Sequence, residues 1–206
     1  MGSRNMKKQV WKPGNMLYPL PAVLVSAGDQ AGEKNLLTVA WTGTVCTNPP
    51  MLYISVRPER FSYSMIRETG EFVVNLTTVS MARATDYCGV RSGRDVDKWK
   101  ETHLTPGADS KLRYAPIVEE APVNIECKVT EVKELGSHHM FLAEIQAVQV
   151  SEAYLDPNGT FRLNDADLLA YSHGAYLSLG ETLGTFGYSV RKKKKAGFRR
   201  NKAKGN

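Results

Sequence analysis

Between residues 22 and 77 the apolar positions fall in short strand-like runs separated by turn residues. "AVLVSAG" (22–28), "LTVAWTGTVC" (37–46), "MLYISV" (51–56) and "EFVVNLT" (71–77) each predict a β-strand. Two longer runs, "VNIECKVTEVKEL" (123–135) and "MFLAEIQAVQV" (140–150), alternate apolar and polar positions with a period of two and are joined by a short Gly-Ser connection. They predict a long hairpin, a usual component of barrels. Helical spacing is confined to short pieces. "SYSMIRETG" (62–70) starts at a Ser that can cap and stops at a Gly. "SMARATDYCG" (80–89) repeats that pattern, and "DVDKWKETH" (95–103) is a third helix. Residues 89–122 are loop-rich, a length more often functional than not, and "DPNG" (156–159) is a turn. Strands with isolated helices, rather than alternating strand and helix, argue against a doubly wound parallel sheet. They predict a mainly β, antiparallel barrel closed with a few short helices.

The second strand breaks the rule that the others keep. Val39, Trp41 and Val45 are bulky, with Gly43 interrupting them, while Thr38, Ala40, Thr42, Thr44 and Cys46 are small throughout. A glycine inside a strand marks a bulge or a close approach by a ligand or another backbone. One reading is that something flat with polar edges lies against this strand. The other is an edge strand with threonine chosen for β-propensity. The pattern leaves both open.

Composition narrows the class. The 206 residues suffice for one well-buried domain, and no apolar run reaches membrane-spanning length. The start of the chain, "MGSRNMKKQVWKPGN", holds no signal-peptide pattern, and the residues ahead of Met6 have the look of a cloning scar. Three widely spaced cysteines, Cys46, Cys88 and Cys127, fit a reducing cytoplasm better than a disulfide framework. The formal charge of +6 belongs to the tail: residues 191–206 carry nine Lys or Arg and no acid, which leaves the rest near −3. Such a tail can touch nucleic acid or anionic lipid, but it is more often a solubilising terminus.

No glycine-rich dinucleotide fingerprint, phosphate loop, Cys-x-x-Cys pair or nucleophile elbow is present, and the Cys and His spacing makes no metal site. His138 and His139 are adjacent at a strand start, so their side chains point to opposite faces. What remains is "RPERFSYS" (57–64), which leaves one strand and opens a helix. Arg57, Arg60, Ser62, Tyr63 and Ser64 there accompany the free N–H groups of the helix start. That set forms a phosphate cradle or, alternatively, a capped surface helix with solvated arginines. Taken with the small-residue strand, it would suit a ligand with a planar ring system at one end and a phosphate at the other. A flavin mononucleotide meets that description better than a sugar or a metal.

The ordered set of motifs resembles the flavin reductase-like family with the FMN-binding split-barrel fold, close to its flavoredoxin branch. The resemblance rests on residues 35–76, on "CGVRSGRDVDKW" (88–99), on "APVNIECKV" (121–129) and "LGSHHMFLAEI" (135–145), and on "FGYS" (186–189). It implies an antiparallel Greek-key split β-barrel over residues 17–189, after an N-terminal extension (1–16) and before the basic tail (190–206). By that resemblance Trp41, Thr42, Gly43, Thr44, Val45 and Cys46 meet the flavin ring. Ser55, Val56, Arg57, Arg60, Ser62 and Tyr63 take the ribityl chain and phosphate, although many relatives carry Thr where Arg60 stands. Ser92 and Lys98 close over the site, the alternative for Lys98 being an exposed helix lysine. His138 corresponds to the histidine near flavin and nicotinamide and is expected to orient a hydride donor, while His139 is spare. Cys127 is expected in the core, and Cys88 is either buried or a redox-accessible thiol.

The resemblance further implies a homodimer with FMN as cofactor, FAD being possible, and NADH or NADPH as donor. Electrons would pass to free flavin, ferric iron or a redox protein partner. The alternative is an electron carrier with no nicotinamide site, reduced by another protein. Nucleic-acid association through the tail ranks last.

Overall fold

The computed structural model describes residues 7–108 and 111–191. The residues ahead of Met6 and the basic tail beyond Arg191 lie outside the described residues. The first strands are β1 (Leu20–Pro21), β2 (Val23–Gly28), β3 (Lys34–Val39), β4 (Thr42–Cys46) and β5 (Met51–Val56). Helix α1 (Phe61–Thr69), β6 (Glu71–Leu76), α2 (Ala82–Val90) and α3 (Lys98–Thr102) follow. After the short β7 (Pro106–Gly107) and β8 (Ile117–Val118) come β9 (Val123–Glu134), β10 (His139–Val150), β11 (Leu169–Ser172) and β12 (Ala175–Ser178).

Seven strands form one antiparallel sheet in the order β3-β2-β6-β9-β10-β5-β4. Its two edge strands are consecutive in the chain, joined only by Ala40 and Trp41. Laid flat, the outer strands of such a sheet would stand about 29 Å apart. Three peptide steps from Val39 to Thr42 reach at most about 11 Å. The sheet therefore has to curl until its edges meet, and Ser55 N donates to Trp41 O (2.8 Å), which carries the β4–β5 ladder up to that crossing. The predicted single strand 37–46 is thus two strands on opposite edges. It breaks at Ala40–Trp41 because the chain there changes partner from β2 to β5.

The barrel is filled by Val23, Val25, Leu37, Val39, Ile54, Val56, Phe72, Val74, Cys127 and Phe141, with Met65 and Ile66 of α1 plugging one end. A second cluster, with Leu24, Leu36, Met81, Cys88, Trp99 and Val118, lies where α2, α3 and the 104–121 segment cover the outside of β2 and β3. Both faces of β2 are buried for that reason.

The helices start and stop differently from the sequence expectation. Helix α1 begins at Phe61 with no side-chain cap, because Ser62 turns inward to accept from Asn35 Nδ2 (2.7 Å); its stop at Gly70, in the left-handed region, is as expected. A single 3₁₀ turn precedes α2, and Gly89 lies inside that helix rather than ending it. A Cβ on Gly89 would stand 3.2 Å from Thr38 Cβ, so glycine there lets α2 lie close on β3. Helix α3 is only one turn and is capped by the Asp97 carboxylate, which accepts from Lys100 N (3.2 Å). The hairpin of β11 and β12, turning on His173 and Gly174 with positive φ, was not expected from the sequence.

Candidate functional site

Where the sheet edges meet, Trp41, Ser55, Val56, Arg57, Arg60 and His138 line a cavity of about 290 Å³. Its remaining walls are Ala22, Leu37 to Ala40, residues 86, 89 and 90 of α2, and Tyr171 and Tyr176 of the late hairpin. The His138 and Trp41 rings are nearly parallel, with centroids 6.2 Å apart. Burial, and next the Arg57 charge, hold His138 below the usual histidine range, so its ring is neutral at pH 7. The adjacent His139 points the other way and pairs its Nδ1 with Tyr63 Oη (2.7 Å), as strand alternation requires.

Arg57, Arg60, Leu37 and Val90 also border a second hollow of about 350 Å³, completed by Asn35, Glu59, Phe61, residues 91–94 and Lys98. Here the sequence brings cations together and gives most of them neutral partners. Helix α2 ends with carbonyls that have no partner within the helix, and cations are favourable at such an end. Arg60 Nη1 donates to Gly89 O (2.9 Å), and Lys98 Nζ donates to Cys88 O and to Leu36 O (2.8 Å each). Arg94 Nη1 donates to Glu59 O (3.1 Å), its guanidinium lying 5.6 Å above the Phe61 ring. Arg57 is paired with the Glu59 carboxylate (3.1 Å), but both side chains are largely in solvent, where such a pair is weak. The uncapped start of α1 opens on the same hollow.

Lys98 is only 2% exposed, so the exposed-lysine alternative is wrong. Burial, with some help from Arg60, brings its ammonium down to about 8. Cys88 is fully buried, and burial pushes its thiol up to about 11, which removes the redox-accessible reading. Cys127 lies in the core, and its thiol is likewise pushed up by burial. Ser92 Oγ accepts from Arg94 N (3.2 Å) and shapes the loop that walls the hollow.

The other sequence candidates stand elsewhere. Thr42 is buried and donates Oγ1 to Tyr53 O (2.6 Å), and Gly43 faces Tyr53, whose Cε1 would lie 3.1 Å from an added Cβ. The register between β4 and β5 slips at Val45, which leaves Thr44 and Val45 exposed and Cys46 half-buried on the sheet edge. The bulge that a strand glycine signals is therefore two residues from Gly43. Ser62 and Tyr63 point into the protein and toward His139.

Sequence reasoning missed Asp86, Tyr171 and Tyr176 as cavity walls and Arg91 and Arg94 as groove walls. Burial, and next the Asp86 charge, push the Tyr176 phenol up to about 12. The signal for the hairpin was present as "LAYSHGAYLS", two alternating runs around a residue pair that tolerates positive φ.

Residues 16–180 match the model of the flavin reductase like domain. The structure is similar to that of the flavoredoxin of Desulfovibrio vulgaris, with a TM-score of 0.82 and 30% identity over 90% of this chain and all of the other. An FMN-binding protein from Thermus thermophilus, solved with 1-cyclohex-2-enone, has a TM-score of 0.71 at 25% identity, covering 88% of this chain and 99% of that one. A flavin reductase of Pseudomonas putida is 27% identical over 137 residues, 65% of this chain and 74% of its own. The chain therefore belongs to the flavin reductase-like family, with the split-barrel fold.

Proposed function

We propose that this protein is an FMN-dependent oxidoreductase, with the isoalloxazine ring in the seam cavity and the phosphate in the adjoining cationic groove. The observation that carries the reading is the junction of the two hollows at Arg57 and Arg60. A ring cavity with a surplus of positive charge at one end matches a planar ligand with a phosphate tail. The FMN-binding relative from Thermus thermophilus supports the choice of flavin.

In this reading Trp41, Val56 and Ser55 flank the ring, and Arg57, Arg60, Ser92 and Lys98 surround the phosphate. Thr42, Gly43, Thr44, Val45 and Cys46 hold Trp41 in place from the sheet edge, and Ser62 and Tyr63 act through their hydrogen bonds to Asn35 and His139. A flavin held there would supply the redox chemistry, between NADH or NADPH as donor and free flavin, ferric iron or a redox partner as acceptor. The neutral His138 ring borders the cavity and orients the donor; it moves no proton. FAD fits the same groove only if its adenylate lies outside it. Likeness to a flavoredoxin supports the second reading, an electron carrier reduced by another protein. Steady oxidation of NADH or NADPH with added free flavin separates the two; an enzyme turns over, and a carrier does not.

A homodimer is part of the same proposal. The N-terminal arm exposes Val10, Trp11, Met16 and Leu17, and the C-terminal segment exposes Leu183, Phe186 and Val190, apolar side chains that a second copy would cover. Light scattering on the eluting protein is expected to give twice the chain mass.

A further inference from the structure

Resting on the donor-orienting reading of His138, we propose that Tyr63 and His139 are positioning residues for it: the hydrogen bond from Tyr63 on α1 to His139 at the head of β10 holds the His138 ring in the cavity wall beside Trp41.

The turn ahead of β10 has little of its own to fix His138. It runs from Leu135 through Gly136, whose φ is +81°, and is closed by Leu135 N donating to His138 O (3.0 Å). The His138 ring meets Ser137 Oγ at its Nδ1 (3.0 Å), but that serine is exposed and next to it in the chain. Its partner ring, Trp41, has its centroid 6.2 Å away, toward the wide end of the range for aromatic pairs.

His139, by contrast, is anchored on both sides. Its backbone pairs with Val56 of β5 and Glu134 of β9. Its Nδ1 stands 2.7 Å from Tyr63 Oη, which also accepts from Arg67 Nη1 (2.8 Å). A guanidinium can only donate, so the phenol proton is left for His139 Nδ1, and the ring proton of His139 sits on Nε2. Arg67 pairs in turn with the Glu134 carboxylate (3.1 Å), but that pair is half in solvent and adds little. The Tyr63 ring meets His139 and Phe141 edge-on, with centroids 5.4 and 5.5 Å away, and Phe141 is fully buried in the barrel. A phenylalanine would make those ring contacts; the hydroxyl adds a directional bond to the histidine. Neighbours on a strand point to opposite faces, so a fixed His139 fixes the direction of His138. Tyr63 N also donates to Arg60 O (2.9 Å), so the turn that carries a cation of the groove carries the tie to His138 as well.

The test is a double-mutant cycle on the full chain with FMN present, reading kcat/KM for whichever of NADH and NADPH the wild type oxidises. Tyr63→Phe keeps the ring and removes the hydroxyl. It is expected to lower kcat/KM about fivefold, short of the roughly tenfold loss expected from His138→Ala, with the Kd for FMN within about twofold. In the His138→Ala background the same substitution is expected to cost nothing further, because the pair acts only through that ring. His139→Leu is expected to follow Tyr63→Phe. His139→Asn, whose Oδ1 stands where Nδ1 stood, is expected to recover most of the loss. NMR of the histidine rings reads the position without turnover. The His138 Cε1 proton, assigned by its absence in His138→Ala, is expected to move in Tyr63→Phe and His139→Leu and to stay in His139→Asn. A loss of the same size in both backgrounds, or a His138 signal unmoved in Tyr63→Phe, would overturn this inference and leave the flavin reading standing. A wild type that binds FMN and oxidises neither nicotinamide would overturn the donor-orienting reading and this inference together.

Discussion

The edge strand β4 and the groove at the end of α2 both stand out for unusual residues, and the structure explains them in opposite ways. On β4 the small side chains have local reasons. Gly43 leaves room for the Tyr53 ring, Thr42 bonds a neighbouring carbonyl, and the bulge turns Val45 outward. At the groove, packing accounts for the positions of the cations but not for their charge. Arg60 and Lys98 satisfy carbonyls of α2, yet their positive charges meet no carboxylate among the described residues. A feature that packing explains needs no ligand; a buried surplus of charge asks for one.

Substitutions can break that contrast, and removing charge is expected to have the largest effect. Arg60→Ala removes a guanidinium from the groove and leaves Gly89 O without its donor. Charge-assisted hydrogen bonds contribute about 1.5–3 kcal/mol, so FMN should bind roughly tenfold to hundredfold more weakly in a fluorescence titration, with riboflavin little changed. Gly93→Ala should act next, through shape. Its Cβ would meet Asn35 Oδ1 and Phe61 Cδ1 at 2.5 Å each, and Asn35 is buried and bonded to Ser62. Overpacking of that kind costs about 1–3 kcal/mol, to be read as a lower midpoint in urea unfolding, together with weaker FMN binding.

His138→Ala tests the cavity rather than the groove. FMN affinity should stay within about twofold, while kcat/KM for the nicotinamide falls roughly tenfold, about 1.4 kcal/mol of positioning. In the wild type that contribution should fade as pH falls, at lower pH than an ordinary histidine would give, since burial and the Arg57 charge favour the neutral ring of His138. The smallest effect is expected at β4. Gly43→Ala asks the Tyr53 ring to shift by a few tenths of an ångström, so stability should drop by less than about 1 kcal/mol. FMN affinity should stay within about threefold; a larger loss would show that β4 touches the ligand directly.

Local patterns were the readable part of the sequence. The alternation of β5 and of the β9–β10 hairpin stands in the chain itself, because each of these strands keeps one face toward the barrel. Gly70 could be read as a helix stop because its requirement is local too. The break at Ala40–Trp41 was not readable, since it depends on the two outer strands meeting, which no window of sequence contains. Arg57, Arg60 and His138 could be placed near a site from the strand-to-helix junction and the resemblance. The environment of Lys98 could not, because a single lysine in a one-turn helix has no periodicity to show which way it points. Tyr171 and Tyr176 were missed for a similar reason: their strands are four residues long, too short for alternation to stand out.

The most direct test of the central claim is the visible absorbance spectrum of the freshly purified protein, followed by FMN titration and chromatography of any cofactor released by heat. The account predicts a flavin spectrum with FMN released, or stoichiometric uptake of added FMN by a colourless preparation. A colourless protein that takes up neither FMN nor FAD would contradict it.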